Sequence, residues 1–396
     1  MKSEKALTLV LAGVSFTTIM DFMIMMPLGP QFKRSFDIGP AEWSALISSY
    51  ALAAAVSGTL AIFFLDAFDR RRALLFLYGG FIISTCLVGL SQSYGTLLLS
   101  RSSTGFFGGI IGALLFSIIA DLVPPERRGS SLGILMTGFS AAASLGVPTG
   151  LALGTAFGWR MAFFLIAALA AVLYVLVWRM LPVLRAHLEE KEGVRKEAIR
   201  GVSSVLKSKN RLKALLFMIL IVFGQFSIIP FIAPSMVANV GFEEIELTYI
   251  YFAGGSLTIF SSPWFGRLSD RFGKQRMFGI LMVISLIPIY AITHMEPMPM
   301  VYVLIFTSMF FVFAAGRMVP ASAVVIGTAH PRYRGSFMSL RSVAVSIGQA
   351  LAAWCAGWII TEGVGGRLEH FNIVGYIGIA TSVICFFVLR TIKSEH

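Results

Sequence analysis

The chain has 396 residues, 57% of them hydrophobic and only 13% charged, with a mean hydropathy of +0.82. Soluble domains carry roughly 25% charged residues, so an aqueous globular fold is excluded. The net charge of +12 first suggests a nucleic-acid partner. The basic residues, however, sit in short turns between apolar runs and form no continuous basic face, which excludes that class.

Apolar runs of about 18 residues or more mark helices that cross a hydrocarbon core of roughly 30 Å. Lipid admits only helices or closed barrels, and these runs are too long and too poor in alternation for barrel strands. Twelve spans are predicted, over 6–28, 43–65, 73–92, 95–122, 131–157, 160–181, 214–239, 246–266, 276–294, 299–328, 336–361 and 371–390. The first leads into Asp21 and Pro27 rather than a small-residue cleavage site, so it reads as a span and not as a removable signal. The runs at 95–122, 131–157 and 299–328 exceed a perpendicular crossing and should tilt, bend or project. A polar stretch at 182–213, rich in mixed charge, divides the spans six and six. It reads as surface helices near the inner leaflet or as a plain linker.

The expected fold is an all-α polytopic membrane protein. Residues 1–181 form an N-terminal six-helix bundle, 182–213 a cytoplasmic central loop, and 214–396 a second six-helix bundle. The halves repeat. Leu65 to Arg72 matches the turn after span 8, with Asp66 on Asp270, Phe68 on Phe272 and Arg72 on Arg276. Pro125 to Ser130 matches Pro331 to Ser336, each after the fourth span of its half. Two parallel repeats with a site near midplane are a transporter architecture. With the N-terminus inside, twenty-five lysines and arginines fall on the cytoplasmic side and four, Lys33, Arg34, Arg160 and Arg367, on the other. That bias puts both termini in the cytoplasm and the chain in the cytoplasmic (inner) membrane. Cys86, Cys355 and Cys385 lie in apolar segments with no metal-ligand spacing, so no metal site is expected.

The turn Gly266-x-Leu268-x-Asp270-Arg271-x-Gly273-Lys274-x-Arg276 resembles the signature loop of the major facilitator superfamily. Its first-half copy is degraded. Ile62 and Asp69 stand where the family has glycine and Ala67 where it has arginine, while Asp66 and Arg70 to Arg72 remain. Arg101-x-x-x-Gly105 with Gly108-Gly109 resembles the family's fourth-span arginine motif. Gly146-Val147-Pro148-x-Gly150-x-x-x-Gly154, followed by Phe157 to Arg160, resembles the fifth-span motif of its proton-coupled exporters. The likeness extends over the whole chain and points to the twelve-helix drug:proton antiporters and arabinose-efflux-type permeases. It implies the major facilitator fold, alternating access, and a fifth span sealing against the eighth.

Asp21 falls roughly 22 Å along the first span, inside the hydrocarbon slab. An acid there faces a cavity or a partner. Burial favours the neutral acid and a nearby cation the carboxylate, so a change of access can load and unload a proton. A fixed structural ion pair is the alternative. Arg101, about 10 Å into the fourth span, lies at matching depth and is the candidate partner. Thr17, one turn before Asp21, and Met25, in a methionine cluster around it, are candidate cavity residues, with Gln225. Arg317 and Arg341 fall in spans of the second half and are candidates for an anionic group; interfacial snorkelling is the other reading of Arg341. The basic turns are expected to gate access. Asp66 pairs within its loop, Asp121 receives Arg70 or Arg72, and Gly266, Asp270, Arg271, Gly273, Lys274 and Arg276 serve the second half. Gly138, Gly146, Gly150 and Gly154 make one small-residue face, and Pro148 can bend it.

No acid–base pair, metal cluster or phosphate-cradling loop is present, so no enzymatic activity and no cofactor are expected. The function expected is a monomeric, proton-gradient-driven exporter of small amphiphilic compounds, with protons, lipid and a small-molecule substrate as its partners. A carrier of anionic solutes (organic acids, lysolipids or siderophores) and a non-transporting membrane sensor are the alternatives.

Overall fold

A computed structural model describes residues 2–65, 68–184, 200–329 and 334–393. Asp66, the stretch 185–199 of the central loop and the turn 330–333 lie outside them. Among the described residues, eleven helical stretches are long and apolar enough to cross a membrane. The twelfth long helix, Leu247–Phe272, is diluted by tyrosines, by Gly254 and Gly255, and by Ser261, Ser262 and Pro263. The fold is the all-α arrangement of twelve spanning segments that the sequence predicts.

The chain forms two compact units, residues 1–25 with 49–200, and 26–48 with 201–396. The boundary passes through the third helix rather than through a loop.

The first unit contains α1 (Lys2–Ile24), most of α3 (Pro40–Phe64), α4 (Arg70–Leu90), α5 (Tyr94–Leu122), α6 (Pro125–Ala141), α7 (Val147–Phe157) and α8 (Trp159–Met180). Ser93 starts α5 with a reciprocal capping box to Thr96. Asp69 starts α4 by accepting from the Arg72 amide at 3.0 Å. The span expected over 131–157 is a single crossing in three pieces. A π-turn over Ala142–Gly146 precedes Pro148, and the Val147 amide reaches back five residues to the Ala142 carbonyl. The wider turn absorbs the missing proline N–H and keeps the helix continuous.

The glycine face of this crossing packs on α1 of its own unit. A Cβ on Gly138 would lie 2.5 Å from the Ala12 carbonyl oxygen, and one on Gly150 2.9 Å from Ile24. Gly146 meets Met20 and Phe16. Within the first unit this face makes its close approach to the first span.

The second unit opens with a turn and the short α2 (Gly29–Phe36) where the sequence suggests a first span running to 28. Pro27 and Pro30 end the apolar helix early. It continues with α9 (Lys209–Phe226), α10 (Ile229–Ser235), α11 (Leu247–Phe272), α12 (Lys274–Thr293), α13 (Met300–Ile326), α14 (Arg334–Ile359) and α15 (Phe371–Arg390). The crossing at 209–240 is broken at Ser227 and Ile228 and ends in a π-turn over Met236–Val240. Between α14 and α15 a two-stranded antiparallel ribbon forms, β1 (Thr361–Glu362) with β2 (Leu368–Glu369). The Asn239 side chain clamps it through both backbone groups of Leu368, at 2.9 and 2.8 Å.

Trp43, fully buried, donates to the Pro230 carbonyl at 3.0 Å and seats the start of α3 in this unit. Phe217, Phe278, Phe337 and Val325 centre its core. Gly273 opens α12 at φ +91°, a conformation that favours glycine. Asp69, at the matching place in the first half, has φ −55° and caps with its side chain instead.

Candidate functional site

Among the described residues, one ion pair of the first unit is fully buried. Arg101 Nη1 lies 2.9 Å from Asp21 Oδ2, with the side chains 1% and 0% exposed. The fourth-span spacing explains how α5 delivers the arginine. Gly105 and Gly109, one and two turns further on, let α5 touch the α3 backbone. A Cβ on Gly105 would collide with the Tyr50 carbonyl oxygen, and one on Gly109 would sit 2.7 Å from the Ala54 Cα. That approach brings the Arg101 guanidinium over the Tyr50 ring, 4.7 Å from its centroid. Phe22 holds the other side of the cluster, with its ring centroid 5.1 Å from that of Tyr50. Thr85 of α4 donates to Asp21 Oδ1 across a long 3.4 Å. Arg101 Nε is buried without a hydrogen-bond partner.

The carboxylate therefore has one strong contact and one weak one. The cation has one acid, one aromatic face and one unused donor. This is a pair with few supports, held out of water.

Thr17, expected to line a cavity, is enclosed. Its hydroxyl bonds the Tyr78 hydroxyl at 2.8 Å and the Val14 carbonyl at 3.0 Å. Thr17 and Asp21 thus both face α4. Met25 is fully buried in the turn after α1. Sequence reasoning missed Tyr50 and Thr85. Tyr50 follows Ser48 and Ser49 inside the second predicted span, and the signal for Thr85 was a hydroxyl pair, Ser84-Thr85, inside the third.

In the second unit, Gln225 and Arg317 are also enclosed rather than open to a cavity. Gln225 donates to the Ala314 carbonyl at 2.8 Å and ties α9 to α13. Arg317, 1% exposed, donates to Ser382 Oγ at 2.8 Å and Ser285 Oγ at 3.2 Å, while its Nε is unpartnered. Arg341 is half-buried and donates from Nη2 to Ser322 Oγ at 2.7 Å.

Of the gate residues, Arg70 rather than Arg72 pairs with Asp121, joining α4 to the end of α5. Arg72 contributes its backbone amide to the Asp69 cap. Asp270, Lys274 and Arg276 are exposed, and Arg271 stacks over Phe272 at 5.4 Å. Asp270 makes no ion pair among the described residues. Gly266 lies 3.8 Å from Val319 by its missing Cβ. Pro148, Gly150 and Gly154 are buried.

The family model of the Major Facilitator Superfamily matches residues 11–264 and 214–396. The chain belongs to the Major Facilitator Superfamily. It is 28% identical over 256 residues to a probable sugar efflux transporter of Helicobacter pylori, a match over 64% of this chain and 63% of that protein's length. It is 24% identical over 390 residues to the uncharacterised MFS-type transporter YtbD of Bacillus subtilis, covering 97% and 95% of the two chains. The fold is similar to that of a bacterial homologue of the human lysosomal transporter Spinster, at a TM-score of 0.77 and 18% identity over 98% of each chain. A multi-pass membrane protein of a transporter family, and not an enzyme family, is therefore the frame for the site.

Proposed function

We propose that this chain is a proton-coupled secondary transporter that exports a small solute by alternating access, with Asp21 carrying the proton. The observation that carries this reading is the Asp21–Arg101 pair, 2.9 Å apart and closed to water inside the first unit. An acid buried in a spanning segment is costly and is retained where it does work. While Arg101 holds it, the guanidinium favours the ionised form of Asp21. When Arg101 turns away, the isolated carboxylate takes a proton, because a lone buried charge is far costlier than a neutral acid. Two states of one contact thus correspond to two protonation states. The unused Nε of Arg101 leaves the guanidinium a donor for another acceptor when it turns away from Asp21. The Lys and Arg distribution supports an inner-membrane orientation with both termini in the cytoplasm. Arg70 with Asp121, and the Gly266 to Arg276 turn, fit a gate at the basic ends of the bundles.

The cargo is a small amphiphile or an anionic compound; the efflux names of relatives favour export. Proteoliposomes holding the purified protein test the coupling. An imposed pH gradient should drive uphill solute movement with stoichiometric proton flux in the wild type. Asp21→Asn should abolish uphill movement and retain solute exchange, and Asp21→Glu should keep part of both. Uphill transport by Asp21→Asn with unchanged pH dependence would remove Asp21 from the coupling.

A further inference from the structure

Helix α11 carries two buried hydroxyls that the fold leaves unused. Thr248 Oγ1 and Tyr251 Oη are closed to water and have no hydrogen-bond partner among the described residues. Tyr251 as a whole is 7% exposed. Three residues apart, the two lie on one face of the helix. Helical side chains lean towards the preceding turn, so the Tyr251 ring reaches back over the turn that carries Thr248. Thr258, further along α11, bonds the Gly254 carbonyl of its own helix at 2.7 Å, the usual resort of a helical threonine. Thr248 makes no such bond. Buried polar groups are almost always paired, because burial takes away the water that would otherwise satisfy them. Two unpaired hydroxyls on one face call for a partner that the chain does not supply.

Packing fixes where that face looks. Gly254 seats α11 on α13, since a Cβ there would collide with Phe311. The Phe311 and Tyr251 rings touch, with centroids 5.7 Å apart. Gly255 and Ser262 continue the Tyr251 face and are half-buried. Tyr249, Phe252, Leu257, Phe260 and Trp264 are 50% exposed or more and form the lipid face. At 3.6 residues per turn the two faces are centred roughly 150° apart, so the hydroxyls do not meet hydrocarbon. Their surroundings are also uncharged. From 247 to 266, α11 has no ionisable side chain other than tyrosine. Arg317 of α13 is spent on Ser285 of α12 and Ser382 of α15. Arg341 meets α13 at Ser322, eleven residues and roughly 16 Å beyond Phe311.

We infer that Thr248 and Tyr251 form a subsite for the neutral polar end of an amphiphilic cargo, a hydroxyl or carbonyl oxygen, with Phe311 against its apolar part. A carbonyl oxygen accepts from both side chains, and a hydroxyl accepts from one and donates to the other. A charged end finds no counter-ion here and loses its water uncompensated. This rests on the transporter reading but needs neither proton coupling nor turnover.

The test pairs equilibrium binding with thermal unfolding, on the full chain in nanodiscs of zwitterionic lipid and without a gradient. The probes are phenyl β-glucoside, its anionic counterpart phenyl β-glucuronide, and the cation benzyltrimethylammonium. The glucoside should bind roughly tenfold or more tighter than either ion. Tyr251→Phe and Thr248→Val should each weaken it by about tenfold, the loss of one hydrogen bond in an enclosed site. Neither variant should lower the melting temperature of the unliganded protein, since each removes a hydroxyl that bonds nothing in the resting fold. A hydroxyl held by a structural bond or a fixed water would behave in the opposite way. A lower melting temperature in either variant therefore overturns the inference. So does an unchanged glucoside affinity in either variant, or a wild type that does not prefer the glucoside to the ions. A wild type that holds the glucoside without proton-driven transport would remove the coupling and keep the subsite. The reverse result would remove the subsite alone.

Discussion

Replacing Asp21 by asparagine strips Arg101 of its counter-charge while leaving it in a site where its side chain is 1% exposed. The Tyr50 face is already engaged in the wild type and returns nothing new. Nε is already without a partner. Breaking a buried pair from one side costs about 3–5 kcal/mol. The reverse change, Arg101→Gln, should cost less, about 1–3 kcal/mol, because Asp21 can take up a proton and become neutral, which arginine cannot do by releasing one. The double variant Asp21→Asn with Arg101→Gln leaves two amides able to bond each other. It should recover about 2 kcal/mol or more relative to the sum of the singles. Equilibrium unfolding in mixed detergent micelles, read by tryptophan fluorescence, measures all four corners of the cycle. Costs that add to within about 0.5 kcal/mol would mean that the two side chains do not support each other, and the reasoning would fail.

Gly105→Ala should destabilise the first unit by about 1–3 kcal/mol, because its Cβ meets the Tyr50 backbone and α3 must move away; a melting temperature equal to wild type would refute the close contact. Trp43→Ala removes a fully buried indole and its hydrogen bond to Pro230, at a cost of about 3–5 kcal/mol read by the same unfolding assay. Asp121→Asn should change stability by less than about 1 kcal/mol, since the carboxylate is partly exposed, yet alter the transport rate in proteoliposomes. An unchanged rate would leave the Arg70 contact a purely structural one.

Much of the fold was legible because lipid imposes a simple rule. Any run of apolar residues long enough to cross must be a helix, so number and order of spans follow from hydropathy. Breaks inside spans were less legible. Pro148 announced a bend, but not that a π-turn at Ala142–Gly146 would absorb it. The pairing of Asp21 with Arg101 could be read from depth alone, since two charges at one level in hydrocarbon seek each other. The enclosure of Thr17, Gln225 and Arg317 could not. Which side of a wholly apolar helix faces its neighbours depends on shape, and hydropathy has no period there to report it. The glycine face of the fifth crossing illustrates the same limit, since small residues announce close contact without naming the partner.

The two ways of starting the helix after the basic turn have a consequence for how the halves drift. At Gly273 the backbone sits at φ +91°, where a side chain is strained, so substitution is restricted to essentially one residue type. At Asp69 the backbone is ordinary and the work is done by a side-chain oxygen, which Asn, Ser or Thr can supply almost as well. One position is therefore nearly frozen and its counterpart has several acceptable neighbours in sequence space. The first turn can lose its glycine, and then further letters, while still launching a helix at the same place. The unequal legibility of the two turns is a difference in tolerance, and divergence between duplicated halves begins where a side chain can take over what the backbone did before.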